Sequence, residues 1–155
     1  MGDRIRRCLG QSRLVASSLL VAALVSTMPT GCNQEVKVDD DDLVFISRQD
    51  VQEAIKKADS NKNRIVIVDP RSPSRYQAGH LATAINIPLP DAIRDDSRLN
   101  DAKTIYVYGD RSDDPLCMAM CKKLMAFKYE DVCMYQGGLE DWRTQKLPLE
   151  TGREN

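Results

Sequence analysis

The chain has 155 residues, a formal net charge of -1 and 42% hydrophobic residues. This length is enough for one globular domain and an appended segment, but not for two domains that each bury a core. No charge block dominates the folded part, and no basic stripe alternates with aromatic residues, which argues against nucleic acid as a partner.

Residues 1–31 differ in kind from the rest. Four arginines between Arg4 and Arg13 precede a 15-residue apolar run from Leu14 to Met28. A positive start, an apolar run and small residues before a break are typical of an export signal. The run is shorter than the roughly 20 residues that a membrane-spanning helix needs. The sequence therefore predicts that residues 1–31 are a signal peptide.

Gly31-Cys32 resembles the bacterial lipobox, in which the signal is cut just before a cysteine that then carries lipid. Pro29 replaces the usual leucine, and an uncleaved anchor or a plain secretory cut are the alternatives. The resemblance implies a bacterial lipoprotein that is exported and held through Cys32 on the non-cytoplasmic side of the membrane, in the periplasm or outside the cell.

Residues 32–42 join the lipid-modified cysteine to the folded part. Four consecutive aspartates, Asp39–Asp42, repel one another and cannot help to build a core. They predict a solvated acidic tether. A calcium site is the alternative, although ligands from adjacent residues rarely converge.

Five cysteines are present. Cys8 would leave with the signal and Cys32 would carry lipid, so Cys117, Cys121 and Cys133 remain. An odd number in an oxidising compartment argues against a complete disulfide framework and for at least one buried or free thiol.

Strand and helix patterns alternate from residue 43 onward. The predicted strands are Leu43–Ile46, Ile65–Val68, Ala84–Ile87, Ile105–Tyr108 and Val132–Tyr135. The predicted helices are Gln49–Ala58 capped by Ser47, Ser74–Ala78, Pro115–Phe127 and Leu139–Thr144, with one more helical turn around Asp91–Arg94. This alternation predicts an α/β domain with a five-stranded, mainly parallel sheet and helices on both faces.

The third helix has a clear start signal. Asp114-Pro115 places aspartate at the N-cap and proline at the first helical position. The following residues are apolar nearly all round, which predicts burial against the sheet.

Three segments resemble the rhodanese-like family in order and spacing. They are Val68-Asp69-Pro70-Arg71 through Tyr76 and Gly79-His80 to residues 84–88, the strand 105–108 with its loop and helix, and Asp131-Val132 through Gly137-Gly138-Leu139 and Trp142 to Leu147-Pro148. The resemblance covers residues 43–149 and leaves 150–155 as a tail. It implies a rhodanese-like three-layer domain.

In that family a cysteine directly follows the fourth strand, and its thiolate accepts sulfane sulfur from a donor such as thiosulfate. Backbone N–H groups and a helix N-terminus hold the anion and lower the pKa of that thiol. Gly109 stands at this position. Because glycine has no nucleophile, the resemblance implies a degenerate, catalytically inactive loop.

The rest of the loop agrees with this interpretation. Its residues are Gly109, Asp110, Arg111, Ser112, Asp113 and Asp114. Three carboxylates against one guanidinium would repel anionic sulfur donors. Binding of a cation by these carboxylates is a weaker alternative.

Cys117 is the only substitute nucleophile near the loop. It falls in the first helical turn, where the helix dipole would lower its pKa; the other interpretation is a buried, small apolar residue. Cys117, Cys121 and Cys133 could also serve a metal, but no fourth ligand is evident. No cofactor and no metal are predicted.

Other positions of the resemblance are expected to be structural. His80, the only histidine, is interpreted as a framework residue. Asp69 and Arg71 are expected to form a local ion pair, and Gly137-Gly138 to let the backbone approach the loop of Gly109. Lys128 stands where the family often has a helix-ending glycine.

The sequence thus predicts a catalytically inactive rhodanese-like domain that acts as a membrane-anchored binding or regulatory module, with a protein partner of unknown identity. The alternative is a thiosulfate or persulfide sulfurtransferase that uses Cys117.

Overall fold

The structure, a computed structural model, describes residues 38–57 and 64–152. The predicted signal peptide and Cys32 lie outside these residues, so the export and lipid-anchor predictions stay predictions. Within the described ranges no helix has the length and apolar character needed to cross a bilayer.

The elements follow the predicted alternation closely. The strands are β1 (Val44–Ile46), β2 (Ile65–Asp69), β3 (Ala84–Asn86), β4 (Thr104–Tyr108) and β5 (Asp131–Tyr135). The helices are α1 (Arg48–Lys57), α2 (Pro73–Ala78), α3 (Pro115–Ala126) and α4 (Gly138–Thr144).

The five strands form one sheet in the order β1-β5-β4-β2-β3, and every neighbouring pair is parallel. The central strands β4 and β2 are runs of β-branched and aromatic residues, which suit a sheet buried on both faces. The predicted fold class is therefore confirmed.

Alternate residues of each strand enter two separate cores. On one face Tyr106 and Tyr135 pack with Val51 of α1 and Trp142 of α4. On the other face the strands pack against the buried side of α3, which includes Met120. Full burial of a side chain of this size stabilises the folded state by about 1.5–3 kcal/mol. Packing against helices therefore stabilises the sheet on both of its faces.

Two helix starts were predicted correctly from capping residues. The Ser47 Oγ accepts the Asp50 N–H at 3.3 Å, and the Asp50 carboxylate accepts the Ser47 N–H at 2.8 Å. Asp114 caps α3 through its carboxylate and Pro115 is the first helical residue. Both arrangements satisfy N–H groups that have no partner within the helix.

The predicted helical turn around Asp91–Arg94 is wrong. One 3-10 turn, Leu89–Asp91, shares only Asp91 with it, and a second lies beyond it at Ser97–Leu99. Pro90 is the second residue of the first turn, and the Asp96 carboxylate caps the second turn by accepting the Arg98 N–H. The positions of the two turns therefore follow from the backbone preference of proline and from capping by an aspartate side chain.

Lys128 adopts the left-handed conformation that glycine usually supplies at a helix end, with φ 72°. Its N–H bonds the Met125 carbonyl at 2.9 Å, and the Tyr129 N–H bonds the Leu124 carbonyl at 3.2 Å. This pair of hydrogen bonds closes α3 in a Schellman motif.

Candidate functional site

The loop of residues 109–114 leaves the carboxyl end of β4 and enters α3. Because β4 and β5 are neighbours and parallel, the loop that follows β5 lies beside it at the same edge of the sheet. The Leu139 N–H donates to the Gly109 carbonyl at 3.0 Å, and the Glu140 N–H donates to the Asp110 carbonyl at 2.8 Å. The start of α4 thus fixes the loop backbone.

This close approach requires glycine at position 138. Gly138 has φ +58°, and a Cβ there would lie 2.8 Å from the Arg111 nitrogen and 2.9 Å from the Gly109 oxygen. Both the conformation and the lack of space exclude a side chain. The expectation that Gly137-Gly138 lets the backbone approach the loop is met at Gly138.

The carboxylate of Asp114 turns into the loop. Its Oδ2 accepts the Asp110 N–H at 2.8 Å, and its Oδ1 accepts the Leu116 N–H at 2.9 Å. The side chain is buried, with 9% exposure. Asp114 therefore closes the loop on itself in addition to capping α3.

Gly109 lies against this carboxylate. A Cβ at position 109 would lie 2.5 Å from Asp114 Oδ2 and 2.7 Å from Asp114 Cβ. Gly109 is not among the described residues with positive φ, so lack of space, and not backbone conformation, excludes a side chain here.

Asp110 points away from the loop interior, toward α2. Its carboxylate oxygens accept hydrogen bonds from Arg71 Nη1 at 2.9 Å and Arg75 Nη1 at 2.8 Å. The predicted excess of negative charge omitted these two guanidinium groups, which lie far from the loop in sequence. Of the three loop carboxylates, Asp110 is neutralised by arginine, Asp114 binds backbone N–H groups, and Asp113 is exposed.

A buried network anchors the base of the loop. The predicted local ion pair between Asp69 and Arg71 is present, with Arg71 Nη2 2.6 Å from Asp69 Oδ2. Arg71 also donates to the Gly79 carbonyl at 2.8 Å, and the Tyr108 hydroxyl donates to Asp69 Oδ2 at 2.5 Å. Each buried polar group of this network therefore has a hydrogen-bond partner, as buried charges require.

Burial and the charges within this network shift the pKa values of Arg71 and Tyr108. Burial lowers the pKa of Arg71, but the hydrogen bond and charge of Asp69 outweigh it and raise that pKa above its ordinary value. Burial, reinforced by the charge of Asp69, raises the pKa of Tyr108 well above the usual range. Both groups therefore keep their protons, and neither supplies a base.

Cys117 does not have the properties of a nucleophile. The expectation that the helix dipole lowers its pKa is wrong: a hydrogen bond with Cys121, followed by burial, raises the pKa of Cys117 well above the ordinary value. Its side chain is fully buried. Cys117 and Cys121 are free thiols, which meets the expectation of at least one buried or free thiol.

The three cysteines considered as metal ligands are divided between the two cores. Cys117 and Cys121 belong to the core under α3, whereas Cys133 belongs to the core on the opposite face of the sheet. In the part of the chain that the structure describes, no three His, Cys, Asp or Glu side chains are grouped so as to hold a metal ion.

The contacts of His80 are those of a structural residue. Its ring stacks on Tyr76 at 3.8 Å between centroids, and its Nδ1 lies 2.9 Å from the Tyr76 carbonyl oxygen. Its backbone forms two hydrogen bonds of 2.9 Å with Glu150. These contacts tie the end of α2 to the C-terminal segment.

A shallow cleft of about 280 Å³ opens beside the loop. Six polar residues line it together with Ile46, Tyr135 and Gly137: Ser47, Arg48, Gln49, Ser112, Gln136 and Asp141. A larger cleft of about 540 Å³, which includes Lys103 and Asp131, lies at the amino end of β4 and β5. The smaller cleft is the one next to the loop of residues 109–114.

An ion pair lies in the lining of the smaller cleft. Arg48 Nη1 contacts both oxygens of Asp141, at 2.7 and 2.8 Å, and the Tyr135 hydroxyl donates to Asp141 Oδ2 at 2.6 Å. The Tyr135 hydrogen bond and Arg48 outweigh partial burial and lower the pKa of Asp141 below 3.8. Asp141 is therefore a fixed anion.

Three elements of this site were missed at the level of sequence: the Arg75 contact with Asp110, the Arg48–Asp141 pair and the inward carboxylate of Asp114. The first two join residues 35 and 93 positions apart, and only strand order could have indicated them. The capping pattern at Asp114-Pro115 was a usable signal for the third, because it directs the carboxylate toward the loop.

Comparison with known proteins agrees with the fold. A model of the rhodanese-like domain family matches residues 48–145. An uncharacterized protein of Buchnera aphidicola is 30% identical over 95 residues, a match that covers 57% of this chain and 62% of that protein. The chain thus spans less than two thirds of the length of the curated relatives it matches.

Solved structures give the same fold. A Bacillus halodurans protein of known crystal structure is 24% identical, with a TM-score of 0.61 over 70% of this chain and 77% of that chain. A thiosulfate sulfurtransferase from Pseudomonas aeruginosa is 21% identical, with a TM-score of 0.60 over 71% of this chain and 20% of that chain. Because the family model matches well over half of its residues, this chain belongs to the rhodanese-like domain family.

Proposed function

We propose that the protein is a catalytically inactive rhodanese-like domain that serves as a binding or regulatory module. The observation that carries this proposal is Gly109, which directly follows β4 at the entrance of the loop. The resemblance implies that the sulfur-accepting cysteine of the family would stand at this position, and glycine offers no atom that could hold sulfur.

The surroundings of the loop support the proposal. Cys117, the thiol closest to it in sequence, is buried and has a raised pKa, so it is not available as a thiolate. Arg71 and Arg75, which could attract an anion, are both paired with Asp110.

A sulfur-transfer assay tests the proposal directly. The full-length protein is incubated with thiosulfate and cyanide, and thiocyanate is measured against a heat-denatured sample of the same protein. We expect no thiocyanate above that control. Turnover would overturn the proposal, and its loss in Cys117→Ser would assign the activity to that thiol.

We further propose that the module is held at a membrane surface by lipid on Cys32. The charged start, the apolar run 14–28 and Gly31-Cys32 support this part of the proposal. Several acyl chains on one cysteine would give firm anchoring. The exposed Asp39–Asp42 run, whose Asp40 pairs with Lys122 of α3, would then lie between the anchor and the domain.

Expression in a bacterium tests the anchor. We expect the protein in the membrane fraction and labelled after growth with radioactive palmitate. Cys32→Ser should lose the label. An unlabelled wild-type protein would refute lipid attachment without bearing on the catalytic proposal.

A further inference from the structure

We propose that Asp114 is a second barrier to catalysis, because its carboxylate fills the space that a nucleophilic side chain at position 109 would need. This inference rests on the proposed function and deepens it. It predicts that a cysteine introduced at position 109 cannot work while Asp114 is present.

The steric conflict is specific to Asp114. The three atoms closest to a Cβ on Gly109 are all atoms of the Asp114 side chain, at 2.5 to 2.7 Å. One of them is the Asp114 Cβ, whose position follows from the backbone at the start of α3. A rotation of the carboxylate alone would therefore not relieve the conflict.

A shift of the loop backbone would break the hydrogen bonds that hold it in place. The Gly109 and Asp110 carbonyls accept the Leu139 and Glu140 N–H groups at the start of α4. On the other side Arg71, which is only 2% exposed, holds the Asp110 carboxylate. The loop is thus held between α4 and the buried network.

Asp114 also engages hydrogen-bond donors that a negatively charged group in the loop would need. It accepts the Asp110 and Leu116 N–H groups, and Pro115 has no N–H to offer. A thiolate at position 109 would face a carboxylate in place of these donors, and two negative groups in contact repel each other.

A double-mutant cycle tests the steric part. Gly109→Ala and Asp114→Gly are made singly and together in the full-length protein, and unfolding is followed in urea. Glycine removes both the carboxylate and the Cβ of Asp114 and is tolerated at an N-cap. Gly109→Ala should raise the unfolding equilibrium constant roughly tenfold or more in the native background, and less than about threefold beside Asp114→Gly. Equal effects in both backgrounds would overturn the proposal.

Thiol reactivity tests the chemical part. Gly109→Cys and the double variant Gly109→Cys/Asp114→Gly are treated with iodoacetamide at pH 7, and alkylation at position 109 is followed by mass spectrometry. The double variant should react at least about tenfold faster, since removal of a neighbouring negative charge favours the thiolate. Equal rates would refute the second barrier.

The two variants also separate this inference from the proposed function. Thiocyanate formation by the wild-type protein would overturn inactivity, whereas the cycle and the alkylation rates would still report on Asp114. If Gly109→Cys fails to fold while the double variant folds, the steric conflict is demonstrated directly. Failure of both to fold leaves the decision to the alanine cycle.

Discussion

The Tyr108 hydroxyl donates to Asp69 Oδ2 at 2.5 Å, and it accepts the Leu81 N–H at 3.2 Å. Both side chains are fully buried. Tyr108 is the last residue of β4 and Asp69 the last of β2, so this contact joins the two strands at the point where the loop of residues 109–114 begins.

Loss of that hydroxyl should be costly. Tyr108→Phe leaves Asp69 without one donor and the Leu81 N–H without its acceptor, and we expect a loss of about 1–3 kcal/mol in the free energy of unfolding. Tyr106→Phe is the matched control, because Tyr106 is buried on the same face and no hydrogen bond of its hydroxyl is found among the described residues. Urea denaturation of both variants measures the difference, and equal losses would contradict it.

The two arginines that hold Asp110 should differ greatly in importance. Arg71→Met leaves the buried Asp69 carboxylate without its guanidinium partner, which should cost about 3–5 kcal/mol. Arg75→Met breaks a pair whose arginine is 65% exposed, and we expect at most about 1 kcal/mol. Thermal and urea unfolding decide between this ranking and one in which the two variants are alike.

Acid should weaken the domain through Asp141. Its folded-state pKa lies below 3.8 because of the Tyr135 hydrogen bond and Arg48, which outweigh its partial burial. The stability that the carboxylate contributes is fully present above pH 3.8 and is lost as pH falls through the lower folded-state pKa. Unfolding free energies measured between pH 6 and pH 2.5 should fall less steeply for Asp141→Asn and for Tyr135→Phe. Slopes equal to that of the wild-type protein would contradict this assignment.

Cys117 and Cys121 should resist alkylation in the native protein. Both are fully buried, and the raised pKa of Cys117 keeps its proton in place. Iodoacetamide followed by peptide mass mapping should modify them only after unfolding in urea. Ser112→Cys, at an exposed loop position, is the positive control. Rapid modification of Cys117 in the native protein would contradict this prediction and support Cys117 as a nucleophile.

The left-handed conformation of Lys128 offers a simple gain in stability. Glycine adopts φ 72° without the steric cost that a side chain brings. We expect Lys128→Gly to raise the free energy of unfolding by about 0.5–1 kcal/mol, whereas Lys128→Ala, which keeps the Cβ, should have little effect. Equal stability of the two variants in urea would rule out strain at this residue.

Sequence patterns predicted the sheet and the helix starts because these depend on neighbouring residues. The β-branched run of β2 and the capping signal of Asp114-Pro115 are examples. The contact of Arg75 with Asp110 depends instead on strand order, which brings the end of β2 beside the end of β4. The two interpretations of Cys117 stayed open in the sequence because helix position and burial shift a thiol pKa in opposite directions, and the packing supports the buried, apolar one.

The hydrogen bonds between His80 and Glu150 set how much chain an independently stable fragment needs. The match to the family ends at residue 145, but Glu150 forms a short antiparallel bridge with His80, and the Gly152 N–H donates to the Gln77 carbonyl at 2.9 Å. The last described residues thus hold the end of α2 in place through these hydrogen bonds. A fragment for crystallisation or partner screening should therefore run to Gly152, because an earlier stop would expose the buried His80 and loosen the helix that carries Arg75.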